Sequence, residues 1–445
     1  MNTLKKLNPI VAVASVSSPL EVGANRAVKS ALELAEKLRK FGCEVIEIGS
    51  IDSSQKAIAA GRKMAEAHVD SAAFASASWF EDYLVLDLLE ECSVPVLLWS
   101  LPGMETGALC GTQQLTAYLK QLEHPYSCVY GEIDDEAAGR KTKSWLWATA
   151  LKKRLRLSKI GATGHRVAGM TEGAVNEIQL KKAIGPRVIY IELARILEKA
   201  KQFGGDSIIA KWQELVKRSG SCKVSLEDGL ASIKMYEVLK FFISENNLDA
   251  LAFGCYPDWM GCACIASSLL ADEGIPIGCE GDVNATVGQL ILALLTNQPT
   301  HNTDWLEPLD DGTVVLTHCG SGSFSLAENP GDVTLGPVRL MEQGVCALFP
   351  SKPGIVTLLS VLPRGDSYQI AMLLGEAVST EMVFPGNPLR VRFERGASEI
   401  IDWIHKEGIG HHWVAGYGDV TSEIEDWASI CRKNIRLVKL TNGQT

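Results

Sequence analysis

Two carboxylates and two imidazoles have the residue types and placement to do chemistry together. Glu280 lies in IGCEGDVNATVG, Asp304 in THNTDWLEP, His318 in VVLTHCGSG and His412 in GIGHHWVAGYGD. Each falls at the end of an expected strand or in the loop beyond it. Such a set suits a hard divalent cation, Mn²⁺ first, with Mg²⁺ or Co²⁺ as substitutes, because oxygen-rich sites favour these ions. Carboxylates beside a cation also move protons, so Glu280 and Asp304 would serve as catalytic groups as well as ligands.

Each residue also has a plainer explanation. Glu280 or Asp282 could cap the helix that begins near Val283. Asp304-x-x-Glu307 has the shape of a capping box. His318 could be a satisfied core histidine, and His411 and His412 alternate faces on a strand, so at most one points into a given pocket. The four together, with no competing motif elsewhere, favour the chemical reading. The sequence has no dinucleotide fingerprint, P-loop or G-x-S-x-G.

The elements that must position these groups are legible as a pattern. IVAVAS (10–15), CEVIEIGS (43–50), SAAFASAS (71–78), PVLLWSL (95–101) and YSCVYG (126–131) read as buried strands. Segments with apolar residues every three or four positions separate them, which implies a parallel sheet covered on both faces. A charged helix near 135–157 leads to a second alternating block. Its strands are KIGATG (159–164), RVIYIEL (187–193), DALAFGCY (249–256) and PIGCEGD (276–282), with helices near 206–219, 226–246 and 283–296. Beyond 300, short β-rich runs with Pro and Gly turns predict a small antiparallel barrel or sandwich. Helices at 397–408 and 421–432 flank an expected loop, HHWVAGYGD. The fold class is therefore α/β. Two Rossmann-like parallel-sheet domains, 1–157 and 158–300, precede a β-rich, barrel-like domain, 301–445.

Bulk properties narrow the function. The chain has 445 residues, 46% hydrophobic and 22% charged, with a formal net charge of −10 and a pI near 5.4. No basic stripe is present, which argues against nucleic acid and against an anionic membrane surface as partners. The twelve cysteines sit among apolar neighbours without paired C-x-x-C spacing, as buried thiols of a reducing cytoplasm do. Lys5 and Lys6 before IVAVASV faintly imitate a signal peptide, but the apolar run is short and Pro9 precedes it, so a first strand and a cytoplasmic protein are expected.

The order and spacing of the four residues resemble the L-fucose isomerase and L-arabinose isomerase superfamily. Cys279-Glu280-Gly281-Asp282…Gly288 is similar to the family's T-E-N-D-x-x-x-G segment, and Asp304 falls where its second carboxylate stands, 24 positions on. His411-His412-Trp413 is similar to the N-H-G motif and makes His412 the ligand. His318 matches the second ligand histidine of arabinose isomerases. The resemblance implies metal ligation by Glu280, Asp304, His318 and His412. It also implies substrate contact by His411 and by Trp79, which would reach a neighbouring subunit's pocket in a homo-oligomer, a trimer or hexamer with sites at subunit interfaces. Two features depart from the fucose isomerase pattern: the substrate-touching Gln has no counterpart near Cys255, and the chain is shorter. Shorter members of this shape include sulfoquinovose isomerases, whose sulfonated sugar needs cationic contacts. The loop arginines Arg26 and Arg166 are candidates for that role.

The expected function is a metal-dependent aldose–ketose isomerase, an intramolecular oxidoreductase, working by cis-enediol proton transfer. The expected substrate is a hexose or 6-substituted hexose, sulfoquinovose before an L-fucose or D-arabinose type sugar. The reading from another class is a non-catalytic sugar-binding protein built on the two α/β lobes.

Overall fold

The computed structural model describes residues 6–440, so Lys5 lies outside the described residues. Contacts divide the chain into two units, each described by itself. One comprises Leu7–Arg154 with Ser422–Ile430, the other Leu155–Thr421 with the chain from Cys431.

The first unit is built on five parallel strands: β1 (Ile10–Val16), β2 (Glu44–Ile51), β3 (Ser71–Ser76), β4 (Val96–Ser100) and β5 (Tyr126–Tyr130), in the order β2-β1-β3-β4-β5. The inner strands β3 and β4 are buried along their whole length. Helices cover both faces of such a sheet, which is why these strands read as unbroken runs of apolar and small residues. Phe74, Leu98, Leu84, Leu88 and Leu115 meet in the core beneath.

The second unit starts with β6 (Lys159–Thr163) and β7 (Arg187–Tyr190). After a two-residue strand, β8 (Ser221–Cys222), come β9 (Ala250–Phe253) and β10 (Ile277–Gly278). The parallel sheet has the order β10-β9-β6-β7. Its strands are shorter than the sequence pattern predicts. PIGCEGD contributes two strand residues, because Glu280 (φ 61°) and Gly281 (φ 69°) both adopt left-handed backbone and end the strand. RVIYIEL stops at Tyr190 because the helix Leu193–Ala200 begins three residues later.

The remaining strands are β11 (Thr300–Pro308), β12 (Thr313–Thr317), β13 (Thr334–Gly336), β14 (Cys346–Leu348), β15 (Gly354–Arg364), β16 (Ser367–Val378), β17 (Leu389–Phe393), β18 (His412–Tyr417) and β19 (Ile435–Lys439). β13, β14 and β8 form a small sheet of their own. Six strands run β15-β18-β11-β12-β17-β16, and the hairpin pairing of β16 with β15 closes them into an antiparallel barrel. Closure leaves no open edge. β19 joins the outer half of β16 in parallel. Two segments differ from expectation: HHWVAGYGD holds β18 rather than a loop, and Asp304 lies in the strand β11, not at a helix start. The capping-box explanation of Asp304 therefore fails.

The helix Val283–Thr296 joins sheet and barrel. Twelve of its fourteen residues are buried, as expected of a helix that is apolar all round. Gly288 allows the close approach, since a Cβ there would stand 2.9 Å from Val414 Cγ2. No helix among the described residues is long and apolar enough to cross a membrane.

Candidate functional site

Strand register brings three of the four residues together. Asp304 on β11 pairs directly with His412 at the start of β18 and with Thr317 at the end of β12, and His318 is the next residue. Directly opposed residues of an antiparallel pair hold their side chains side by side. The fourth, Glu280, arrives from the second sheet through the tight turn after β10. A non-glycine residue in left-handed backbone costs of order 1 kcal/mol and persists where its surroundings impose it. Here Glu280 O accepts the Val167 N–H at 3.3 Å, and Gly281 N–H donates to Phe253 O at 3.0 Å. Any side chain at Gly281 would stand 2.8 Å from His165 O, so Glu280 cannot slide along the turn.

His412 Nε2 lies 3.3 Å from Glu280 Oε2 and 3.7 Å from Asp304 Oδ1. His318 Nε2 lies 3.9 Å from Asp304 Oδ2. Donor atoms of Glu280, His318 and His412 fall within 4.8 Å of one another, as do those of Asp304, His411 and His412. The imidazoles are deeply buried, whereas the side chains of Glu280 (18%) and Asp304 (31%) keep some exposure. The carboxylates thus form the open side of the cluster and the histidines its floor.

Asp282, which the sequence offered only as a possible cap, has two roles. Its Oδ1 accepts the Ala285 N–H at 2.9 Å and caps the helix Val283–Thr296. Its Oδ2 bonds His412 Nδ1 at 2.8 Å. This bond fixes the ring, so Nε2 is the nitrogen presented to Glu280 and Asp304. Burial alone lowers the His412 pKa. The hydrogen bond to Asp282 and the Glu280 carboxylate beside Nε2 outweigh it and push the imidazole up to about 10. Burial works the other way on Glu280, raising its carboxyl, but His412, His318 and His411 bring it net below the usual carboxylate range. Burial dominates at His318 and lowers its pKa, leaving it a neutral imidazole.

A divalent cation fits these residues. Asp304 Oδ1, His318 Nδ1 and His412 Nε2 are all buried without a hydrogen-bond partner, an arrangement that proteins avoid unless something else satisfies the atoms. Two carboxylates and two imidazoles would balance a 2+ charge with mixed O and N donors.

The other expected contacts fall in different places. His411 is exposed, with Nδ1 3.0 Å from Glu172 Oε1 and its ring centroid 4.2 Å from that of His412. Arg166 is partly buried in the loop after β6, and its Nη1 donates to Val167 O at 3.0 Å. Arg26 and Trp79 belong to the other unit. There, Arg26 donates from Nε to Ala77 O, from Nη1 to Pro102 O and from Nη2 to Thr106 Oγ1. The Trp79 backbone is held by Thr106 O and Ser18 N–H. All twelve cysteines are free thiols.

No family model matches the chain. It is similar to sulfoquinovose isomerases from Priestia aryabhattai and Priestia megaterium, each 26% identical over 368 residues, which is 80% of this chain and 82% of theirs. A sulfoquinovose isomerase from Alkalicoccus urumqiensis is 24% identical over 373 residues, covering 80% of this chain and 83% of that protein.

Proposed function

We propose that the protein is a divalent-metal-dependent aldose–ketose isomerase that converts sulfoquinovose to its 2-ketose. These relatives indicate an isomerase. The observation that carries the metal-assisted reading is the pair of partly open carboxylates, Glu280 and Asp304, that both approach Nε2 of a buried His412.

Aldose–ketose isomerisation removes a proton from C2, places one on C1 and passes the hydroxyl proton from O2 to O1. The enediolate that forms between these steps carries charge on adjacent oxygens. A bound divalent cation supplies stabilisation of that charge. The chain's own residues do the rest. Glu280 and Asp304 stand on opposite sides of the cis-enediol, one accepting the C2 proton and the other returning a proton at C1. Glu280 is ionised at neutral pH because its imidazole neighbours outweigh its burial. Asp282 holds the His412 ring, and His411 lies at the exposed rim.

Asp282 gives a prediction of its own. Asp282→Asn keeps an acceptor for the Ala285 N–H but presents an amide to His412 Nδ1. Mn²⁺ affinity is expected to fall about 10- to 100-fold, the usual effect of losing a ligand's hydrogen-bond partner, while the melting temperature changes little. Calorimetric Mn²⁺ titration of both proteins checks it, and unchanged affinity would remove Asp282 from the site.

The same reading makes the protein a cytoplasmic homo-oligomer, a trimer or hexamer, in which Trp79 serves a neighbouring subunit's pocket. Free thiols on all twelve cysteines suit a reducing compartment. Light scattering at assay concentration should give a closed oligomer, and a fully active monomer would contradict the shared pocket. The substrate assignment is tested by comparing kcat/KM for sulfoquinovose and glucose. A large preference for the sulfonated sugar is expected, and equal values would defeat it.

A further inference from the structure

In the sheet β10-β9-β6-β7, the chain leaves β6 toward β7 on one side and returns to β9 on the other. In an open parallel sheet, loops diverge at such a reversal, and the crevice beyond the carboxyl ends of those strands accepts ligands. A cavity of about 220 Å³ occupies this place, lined among others by Thr163, Gly164, Arg166, Gly173, Tyr190 and Gly281. Gly281 directly follows Glu280, so the cavity adjoins the reacting end of the site.

Three observations give the cavity its chemistry. Thr163 is 2% exposed and its hydroxyl has no hydrogen-bond partner, so a buried donor is left for a ligand. The Arg166 guanidinium spends one hydrogen bond on its neighbour's carbonyl and forms no ion pair among the described residues. Arg26, by contrast, uses Nε, Nη1 and Nη2 on its own unit. The helix Val283–Thr296 also begins at the cavity wall, where Asp282 takes the Ala285 N–H and leaves the other first-turn N–H groups without a side-chain cap.

The nearby acids are already engaged. Asp282 is tied to Ala285 and His412, and Glu177 bonds the hydroxyl of Tyr190. Glycines keep part of the lining bare. Gly164 (φ 72°) and Gly281 (φ 69°) are in left-handed backbone, and a Cβ at either would stand 2.8 Å from a backbone oxygen.

We infer that this cavity is a subsite for a tetrahedral oxyanion and takes the sulfonate at C6 of the sugar, with Arg166 and Thr163 setting the preference for it. The inference rests on the isomerase reading above for the identity of the sugar, but the anion site can be tested without turnover.

The full chain, Arg166→Gln and Thr163→Val are assayed with sulfoquinovose and glucose, and each is titrated calorimetrically with methanesulfonate. In Arg166→Gln the ratio of kcat/KM for sulfoquinovose to that for glucose should fall about tenfold or more, the scale of one charge-assisted hydrogen bond. Thr163→Val should lower the ratio less, without lowering the melting temperature, because it removes a hydroxyl that bonds nothing in the protein. Methanesulfonate should compete with sulfoquinovose and bind Arg166→Gln at least tenfold more weakly. A ratio within twofold of wild type in both variants overturns the inference while the isomerase stands. Inorganic sulfate binding the wild type with the sugar ratio unchanged in Arg166→Gln would mark a free-anion site and overturn the assignment to the sugar. If wild type turns over no aldose, the isomerase reading fails. Methanesulfonate binding lost in Arg166→Gln would then still support the anion site, and binding unaffected by the substitution would overturn it.

Discussion

Glu280→Gln and Asp304→Asn are each expected to cut turnover by at least ~10²-fold, the usual loss when a positioned acid or base is removed. Both substitutions keep size and shape, so the loss should appear without unfolding. Two further readouts, melting and metal affinity, accompany the loss. Glu280 holds its strained backbone through the Val167 and Phe253 contacts on either side of the peptide, so Glu280→Gln should melt close to wild type. Glu280 groups with His318 and His412, and Asp304 with His411 and His412, as possible ligands, so both substitutions should also lose Mn²⁺ affinity. His318→Ala should weaken metal binding more than it slows the metal-saturated enzyme. A variant of either carboxylate within threefold of wild type would show that the wrong pair carries the proton.

Removal of divalent metal should be as severe. Protein stripped with EDTA should be inactive and should recover on adding Mn²⁺. The buried, unpartnered atoms of Asp304, His318 and His412 motivate this expectation. The metal-free site should also be protonated. His412 in that form is pushed up to about 10, so cation binding at pH 7–8 must displace its proton, whereas His318, with its lowered pKa, has none to give. Affinity should therefore rise with pH below about 10 and fall with acid, with about one proton released per ion. Titration in buffers of different ionisation enthalpy measures that proton. Full activity in the stripped protein would contradict the metal's role.

How much of this was legible in the sequence depends on how local each signal is. The helix Val283–Thr296 was expected at 283–296 because its apolar run and its Asp cap are contiguous. The alternation of strand and helix gave the two parallel sheets, and turn-punctuated strands gave the barrel. The pairing of Asp304 with His412 was not readable, because it joins segments more than a hundred residues apart through strand register. HHWVAGYGD looked like a loop because its glycines and doubled histidine mask a strand that is buried throughout. The second role of Asp282 was hidden for the same reason as the register: its partner is His412, distant in sequence. The helix Cys264–Asp272 was missed because its apolar residues surround it, leaving no periodic face. The orphaned Thr163 hydroxyl has no sequence signature at all.

In the proposed reaction a proton leaves C2 of a sulfonated aldose and exchanges with solvent before a proton reaches C1. Proton NMR of sulfoquinovose incubated with the Mn²⁺-loaded protein in D₂O observes this directly. We predict conversion to the 2-ketose with solvent deuterium entering the carbon skeleton, and loss of both in Glu280→Gln. Conversion without any deuterium would point to direct transfer of hydrogen between the carbons and contradict the carboxylate mechanism. No deuterium and no product with sulfoquinovose or any other aldose would contradict the isomerase itself.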